Sequence, residues 1–321
     1  MRMMKKKLIV MLMLVGVVMT AMGQQIAVVF EGGSMRMATT LKQAIDNATD
    51  GCVIYLPAGG FQIGDTVRIK HRVSIIGLNH KTKSENADGM TSISGNLFFD
   101  EGSDGSVVMG CFISGNVMIG YDEKAVHNIF IRYCNLNAIE VQSNLCTGTA
   151  VNQCYIRNTC NFNNAPAIIT HNVMNGTNGL NGGLFDHNVV VTGTTNASNS
   201  TITYNVFMYN GHGGDNCITY GNLQKDSPWG DACETVSAEW SEVFVDPQYG
   251  ISSNSDFHFK TEYKKYENER GIYGGKNAEN DKYFHGDALP PVPYVKDKKV
   301  PEHTNFDGNL VINLTVKDGN K

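Results

Sequence analysis

The sequence lacks the features that would place it inside a membrane or on a nucleic acid. After residue 23, no apolar run is long enough to cross a bilayer, which takes about 20 residues. The formal net charge is −5, and removing the first 23 residues, which hold four basic and no acidic side chains, brings it to −9. Bulk electrostatics therefore argue against a nucleic acid partner. With 8 prolines beside 34 glycines, the composition favours a turn-rich β architecture.

Metal and redox motifs are missing as well. The eight cysteines form no CxxC pair and no paired metal-ligand spacing. We therefore expect no cofactor, and Ca²⁺ or Zn²⁺ stays an alternative that no motif supports. Most cysteines are predicted to be buried small apolar residues. Cys217 and Cys233, which flank a loop-rich stretch, are the first pair to test for a disulfide.

The N-terminus carries an export signal. Arg2 and the lysines at 5–7 precede an apolar run from Leu8 to Val18, which is too short to span a bilayer. Residues 21–23 form a small-residue cleavage site, so residues 1–23 are interpreted as a signal peptide and Gln24 as the mature terminus. No cysteine lies at this site, so no lipid anchor is expected. The sequence predicts export to the periplasm, the outer surface or the medium.

A short repeat runs through the middle of the chain. Eight five-residue segments share a polar fourth position, Asn in seven of them, followed by Leu, Val or Ile. The fourth positions are Asn96, Asn116, Asn135, Tyr155, Asn172, Asn188, Asn205 and Asn222. Successive steps between them are 20, 19, 20, 17, 16, 17 and 17 residues. Such a period without a helical signal predicts stacked coils of β-strand.

Stacked coils would place the repeated positions above one another. Asn suits a sharp bend and bonds the Asn of the next coil, so the seven asparagines are predicted to form one column with Tyr155 in the fourth place. The apolar residue after each is predicted to point into the core. Cys134 and Cys154 are predicted to stack in neighbouring coils. A β-sandwich is the alternative, but its turns are about 8–12 residues apart and need no fixed Asn phase.

Further sequence signals lie at both ends of the repeat. Before it come Leu41–Ile45, Val53–Gly59 with its Leu-Pro-Ala-Gly turn, and Val73–Gly77, and after it come Phe244–Pro247, Asp256–Lys260 and Gly271–Gly275. The first set resembles the opening of the pectin-lyase-like superfamily of right-handed parallel β-helices, and the second resembles the closing coil of its secreted bacterial members and the run that follows it. The resemblance implies an all-β, right-handed parallel β-helix. It does not fix the function, because the superfamily holds lyases, hydrolases and adhesins.

The chain is divided into a β-helix over residues 24–275, of about nine to eleven coils, and a linker with a small C-terminal β extension over 276–321. Thr40 and Gln43 form a capping-box pattern, which predicts a helix that plugs the N-terminal end. Residues 225–243, with Trp229 and Trp240, are predicted to be a long loop or end cover, and 244–275 the last coil. A hairpin is predicted around residues 307–308, an Asp-Gly pair.

Two histidines share one repeat position. His171 and His187 directly precede asparagines of the repeat, so stacking would separate them by about 5 Å. Asp186 lies beside the second, and His212 and Asp215 lie in a Gly-rich loop one to two coils later. These five residues are the candidate binding site, for a divalent metal or a sugar. The alternative is a polar ladder that serves only the fold.

Catalytic groups of the kind that cleave polysaccharides on this fold are scarce. Such enzymes need clustered carboxylates, or a carboxylate beside Arg or Lys. No Asp-Asp pair occurs, and the Lys and Arg residues between 93 and 224 are Lys124, Arg132 and Arg157. The sequence predicts a non-catalytic, carbohydrate-associated or surface-interaction protein, with a polysaccharide as partner. A polysaccharide lyase or glycoside hydrolase, and an assembly component that docks through its tail, are the alternatives.

Overall fold

The chain forms a right-handed parallel β-helix of about eight turns. The computed structural model describes residues 25–81, 89–209, 212–225, 227–248 and 250–275, and for 212–213, 294–299 and 313–317 the backbone alone. Up to three strands per turn make three faces, here called face 1, face 2 and face 3, around an apolar core. The predicted fold is confirmed. The last parallel strand ends at Val236, so the stack of turns ends before residues 244–275.

Face 1 begins with an antiparallel pair and continues with nine parallel strands. The antiparallel pair is Ile26–Val29 with Met35–Ala38. The parallel strands are Cys52–Leu56, Val73–Gly77, Val107–Met109, Phe130–Arg132, Thr149–Asn152, Ala167–Thr170, Leu184–Asp186, Thr201–Thr203 and Ile218–Tyr220. Residues such as Ile54, Ile131 and Phe185 point into the core and are fully buried, while their neighbours point outward, as strand alternation requires.

Faces 2 and 3 follow face 1 in each turn. Gly59–Ile69 and Thr91–Phe99 extend over both faces. The later strands of face 2 are Phe112–Ile113, Asn135–Leu136, Tyr155–Ile156, Val173–Met174, Val189–Val190, Val206–Phe207, Leu223–Lys225 and Glu234–Val236. The later strands of face 3 are Val117–Ile119, Ile139–Val141, Cys160–Asn161, Thr177–Asn181, Thr195–Ser198 and His212–Gly213.

A short helix, α1 (Leu41–Asp46), closes the N-terminal end of the core, as predicted. The Thr40 hydroxyl accepts the Gln43 N–H at 3.1 Å. In return, the Gln43 side chain accepts the N–H of Thr39 rather than that of Thr40. Leu41, Ala44 and Ile45 are buried against the first strands, so the apolar stripe of the helix covers what would otherwise be an open core.

The corner between faces 1 and 2 consists of one left-handed residue followed by one buried residue. Positive φ angles occur at Gly110, Tyr133, Gln153, His171, His187, Tyr204 and Gly221. In the last four turns the buried residue is an asparagine: Asn172, Asn188, Asn205 and Asn222. Each Oδ1 after the first accepts the backbone N–H and the side-chain N–H of the preceding asparagine, at 2.8–3.0 Å. The four amides form one continuous ladder inside the corner.

The predicted single column of seven asparagines is wrong in its register. Asn135 pairs with Tyr155 and Phe112, one residue further along face 2 than the ladder. Asn96 and Asn116 lie at the corner between faces 2 and 3, next to the paired residues Leu97 and Val117. Both corners need a short polar residue before an apolar strand, so the same five-residue pattern occurs at both.

Cysteine takes the ladder position in earlier turns. Cys134 and Cys154 stack in neighbouring turns, as predicted, and Cys154 N–H donates to Asn172 Oδ1 at 2.9 Å. They therefore align with Asn172 and not with His171. Their thiols point to carbonyls of face 1, where the asparagine amides also donate.

The eight cysteines are free thiols, and six of them are buried. The thiols of Cys217 and Cys233 donate to different carbonyls, those of Ala197 and Trp229, at 3.1 and 3.0 Å. The disulfide singled out for testing is therefore not formed.

Face 2 is apolar on both sides. Met174, Val190 and Phe207 point into the main core. The residues that directly follow the ladder asparagines, such as Val189 and Val206, point outward into a second apolar cluster. The prediction that they point inward is therefore wrong for these turns. Strands buried on both faces are continuous apolar runs, so the sequence pattern of these strands does not indicate which residue points inward.

Residues 237–248 and 250–275, here called the strap, cover the outer side of face 2. The strap contains helix α2 (Trp240–Val243), an antiparallel pair of Phe244–Asp246 and Asp256–Phe259, and 3₁₀ turns at Thr261–Tyr266 and Gly271–Tyr273. Its buried aromatic residues pack on the outward residues of face 2. The predicted last coil is therefore an external cover. Trp229, by contrast, packs on Phe207 at the end of the core.

A charged cluster fastens the strap to the last strand of face 2. Glu234 accepts hydrogen bonds from Tyr266 (2.6 Å), Arg270 (2.7 Å) and Lys265 (3.0 Å). The Tyr266 hydrogen bond, followed by those of the two cations, lowers the pKa of Glu234 to about 2. The carboxylate thus stays charged at any pH where the protein is expected to work, and its hydrogen bonds to the strap persist over that pH range.

The C-terminal extension contains Tyr294–Lys299 paired antiparallel with Asn313–Lys317. The Asp-Gly turn predicted between them, and the signal peptide at residues 1–23, lie outside the described residues. Among the residues that the structure describes, no helix is long and apolar enough to cross a membrane.

We predict that Asn205→Ala lowers the free energy of unfolding by about 3 kcal/mol or more. The substitution leaves the buried Asn188 N–H and the Phe185 carbonyl without their partners, and each such loss costs about 1–3 kcal/mol. The exposed Asn158, which bonds only Asn137 at another corner, supplies the control. Urea unfolding of both alanine variants measures the difference. Equal losses would contradict a special role for the buried ladder.

Candidate functional site

The predicted histidine pair forms a ring stack at the corner between faces 1 and 2. The rings of His171 and His187 are parallel, with centroids 5.0 Å apart, and Tyr204 continues the stack at 5.2 Å. All three residues adopt the left-handed bend, with φ of 54–55°. The spacing follows from the strand separation, since these residues hold the same place in successive turns.

Asp186 joins the pair from the end of its face 1 strand. Its Oδ2 accepts Nδ1–H of His187 at 2.6 Å, and its Oδ1 accepts the Thr203 hydroxyl at 2.6 Å. Burial alone would raise the pKa of Asp186, but these hydrogen bonds hold it below its ordinary value. The carboxylate is therefore charged and fixes the tautomer of His187.

The strap lies over the Nε2 atoms of His171 and His187. His171 Nε2 lies 3.4 Å from the Gly274 carbonyl. Burial, and to a lesser extent the adjacent His187, lowers the pKa of His171 to about 4. A Cβ at Gly274 would lie 2.5 Å from His187 Cδ2, so this strap residue fits only without a side chain. The stack is thus packed against protein rather than open to a ligand.

His212 and Asp215 do not join this group in the described contacts. The His212 backbone pairs with Thr195 on face 3. Asp215 is exposed, and its carbonyl accepts the N–H of Asn199, at the corner that precedes the face 1 strand Thr201–Thr203. The five candidate residues therefore divide into a buried trio, His171, Asp186 and His187, and two residues near another corner. Within the described ranges, no group of three or more His, Cys, Asp or Glu side chains could hold a metal.

Another polar cluster lies on the outer side of face 2. His258 bonds Asp256 at 2.8 Å and stacks on Tyr273 at 4.0 Å. His80 packs on Tyr155, with ring centroids 5.6 Å apart, and burial lowers its pKa to about 3. The sequence repeat does not predict these contacts, because the partners come from segments that do not share a repeat position. Tyr155 and Tyr273 belong to the apolar cluster beneath the strap, so this group too is shielded from solvent.

The outer side of face 1 presents an apolar stripe. Along successive parallel strands, the first outward position holds Val53, Ser74, Val107, Phe130, Ala150, Ile168, Leu184, Thr201 and Ile218. Phe130, Ile168 and Ile218 are 38%, 48% and 68% exposed. An aligned row of exposed apolar side chains on a rigid sheet is typical of a binding surface.

A polar row runs beside the apolar stripe, two residues further along each strand. Its later members are Arg132, Asn152, Thr170, Asp186, Thr203 and Tyr220. Arg132 donates to Asn152, and Asn152 donates to the Thr170 hydroxyl at 3.0 Å. These bonds run along the stack and orient the side chains in advance. Sequence reasoning missed both rows, although the apolar-core-polar order of Phe130–Arg132 and Leu184–Asp186 could have shown them.

Face 3 differs from face 1. Its outward row includes Asn161, Asn178 and Asn196, which are exposed and polar. Face 2 is covered by the strap. Among the described residues, face 1 is thus the face that combines exposed apolar and polar rows.

Comparison with known proteins adds no assignment: no family model, curated protein or solved structure matches this chain.

We predict that Gly274→Ala loosens the strap, because the added methyl group collides with the His187 ring. Hydrogen exchange should become faster in residues 250–275 while strands of face 1 keep their protection. Gly60→Ala is the control, since a Cβ there meets nothing within 4 Å. Unchanged exchange in the strap would show that its end is not held by this contact.

We predict that His171→Gln reduces the loss of stability between pH 6.5 and pH 4. The pKa of His171 falls from 6.5 to about 4 on folding, so as pH drops the unfolded chain is protonated first and the folded state is disfavoured through this window. A difference of this size corresponds to about 3 kcal/mol. Gln is compatible with the bend, because Gln153 adopts the same left-handed conformation in the turn before His171.

Urea unfolding at pH 7 and pH 4.5 measures this effect. The exposed His71, changed to Gln, is the control. His80 still contributes to the pH dependence of the variant, because its pKa is also low. A variant with the full wild-type loss would contradict the assignment to His171.

Proposed function

We propose that this protein is an exported, non-catalytic binding protein that holds an extended polysaccharide along face 1. The observation that carries the proposal is the pair of parallel rows, apolar and polar, on the outer side of this face. Each turn contributes one residue to each row, at a spacing of about 4.8 Å. A regular array suits a regular polymer better than it suits a single small molecule.

The chemistry of the two rows matches the two sides of a sugar. A pyranose ring has an apolar face, which Phe130 and the aliphatic side chains of the stripe would contact. Its hydroxyl groups donate and accept hydrogen bonds, as do the side chains of Asn152 and Thr170. Because these side chains are already held by bonds along the stack, binding would cost less conformational entropy than on a mobile surface.

The surroundings of the carboxylates favour binding over cleavage. Asp100 pairs with Arg68 at 2.9 Å. Asp186 is engaged by His187 and Thr203. Glu140, on face 3, accepts a hydrogen bond from the side-chain amide of Asn116. Each is thus committed to a structural partner, whereas glycoside hydrolysis needs two carboxyl groups facing one bond.

Export and superfamily membership are parts of the same proposal. The N-terminal basic and apolar segments support export. The β-helix and its N-terminal helix support a place in the pectin-lyase-like superfamily. Polysaccharides lie outside the cytoplasm in abundance, so export and the proposed ligand are mutually consistent.

The test is a polysaccharide array followed by titration of the best ligand with two matched variants. Ile168→Asp places a charge in the apolar stripe, and Val245→Asp makes the same change at a similarly exposed aliphatic residue on the strap. We predict at least a tenfold loss of affinity for Ile168→Asp and none for Val245→Asp. The reverse order, or no polysaccharide ligand, would overturn the proposal. Release of shortened or unsaturated sugars would show an enzyme instead.

A further inference from the structure

A pocket of about 410 Å³ lies between helix α1 and the strand Gly59–Ile69, at the N-terminal end of face 3. Its apolar lining is Ile45 from the helix and Val67 from the strand, both almost fully buried. Its polar lining consists of Lys42, Asp46, Thr66, Arg68, Lys70 and His71. The volume is within the range of small-molecule sites.

The charges around this pocket do not cancel. Lys42 pairs with Asp46 at 2.6 Å, and Arg68 with Asp100 at 2.9 Å. Lys70 forms no ion pair with any described residue. One positive charge is therefore left over beside an apolar floor, in a chain whose net charge is negative.

Arg68 lines the pocket and is held in place by Asp100 and by two aromatic rings. Its guanidinium lies 4.5 Å from the centre of the Phe98 ring and 5.9 Å from that of Tyr121. Asp100 accepts from Nη1, and the other N–H groups of this guanidinium make no hydrogen bond to a described residue. A planar donor group that is stacked on one side is a good partner for a flat carboxylate.

We propose that this pocket binds a small monoanion with an apolar body, such as a carboxylate or sulfate carried on a ring. One surplus charge balances a monoanion, and Ile45 and Val67 supply the contact for the apolar part. Lys70 provides the uncompensated charge and Arg68 the directed hydrogen bonds. This inference does not depend on the proposed polysaccharide site, which lies on face 1.

The test uses benzoate, phenyl sulfate and benzamide as probes in ligand-observed NMR titrations of the full chain. Benzamide has nearly the shape of benzoate but no charge. For ligands of this size we expect dissociation constants of about 1 mM for the anions. Benzamide should bind at least tenfold more weakly. Raising the salt concentration should weaken the anions and not benzamide.

Two lysine variants complete the test. Lys70→Gln should weaken benzoate at least fivefold, and because Lys70 is exposed the change should leave the fold intact. Lys264→Gln, at an exposed lysine on the strap, should have no effect. Benzoate binding that exceeds phenyl sulfate binding by tenfold would assign the site to carboxylates, and the converse to sulfates. Equal binding of benzoate and benzamide, or unchanged binding in Lys70→Gln, would overturn the proposal.

Discussion

A buried amide ladder at the corner between faces 1 and 2 is the constraint on which the rest of the structure depends. The asparagines from Asn172 to Asn222 satisfy backbone groups that a left-handed bend leaves unpaired inside the protein. An unpaired buried polar group costs about 1–3 kcal/mol, so slipping one turn by a single residue would be expensive at every rung. The ladder thereby fixes which side chains of face 1 point outward and which side of face 2 meets the strap.

The consequence for function is a division between two faces. On face 2, the residues after the ladder are apolar and point outward, and the strap buries them. Burying a Val or Leu side chain contributes about 1.5–3 kcal/mol, so the strap is a cover with a large apolar driving force. On face 1, the same register aligns an apolar row and a polar row that the strap does not cover. The histidine stack lies at the boundary, where Gly274 of the strap meets His187.

The sequence is sufficient for the fold but not for the site. A 16–20 residue period, a polar bend residue and the Thr40 cap together predict a helix-capped β-helix, because each reflects a local requirement that recurs in every turn. The register is not predictable in the same way, since two corners accept the same pattern and Cys134 can replace Asn. The strap is also hidden, because its contacts with Val189 and Val206 join residues far apart in the chain. His171 and His187 were correctly paired, but the glycine run that shields them became visible only in three dimensions.

The most direct test of this account is residue-resolved footprinting of the full chain, alone and with the polysaccharide that gives the strongest array signal. Hydroxyl-radical labelling reports the solvent exposure of individual side chains. We predict protection of Phe130, Ile168 and Tyr220 on face 1, with no change at Tyr209 or Val245, which lie elsewhere and are more exposed than these three. Protection of the strap or of face 3, with face 1 still fully labelled, would contradict it.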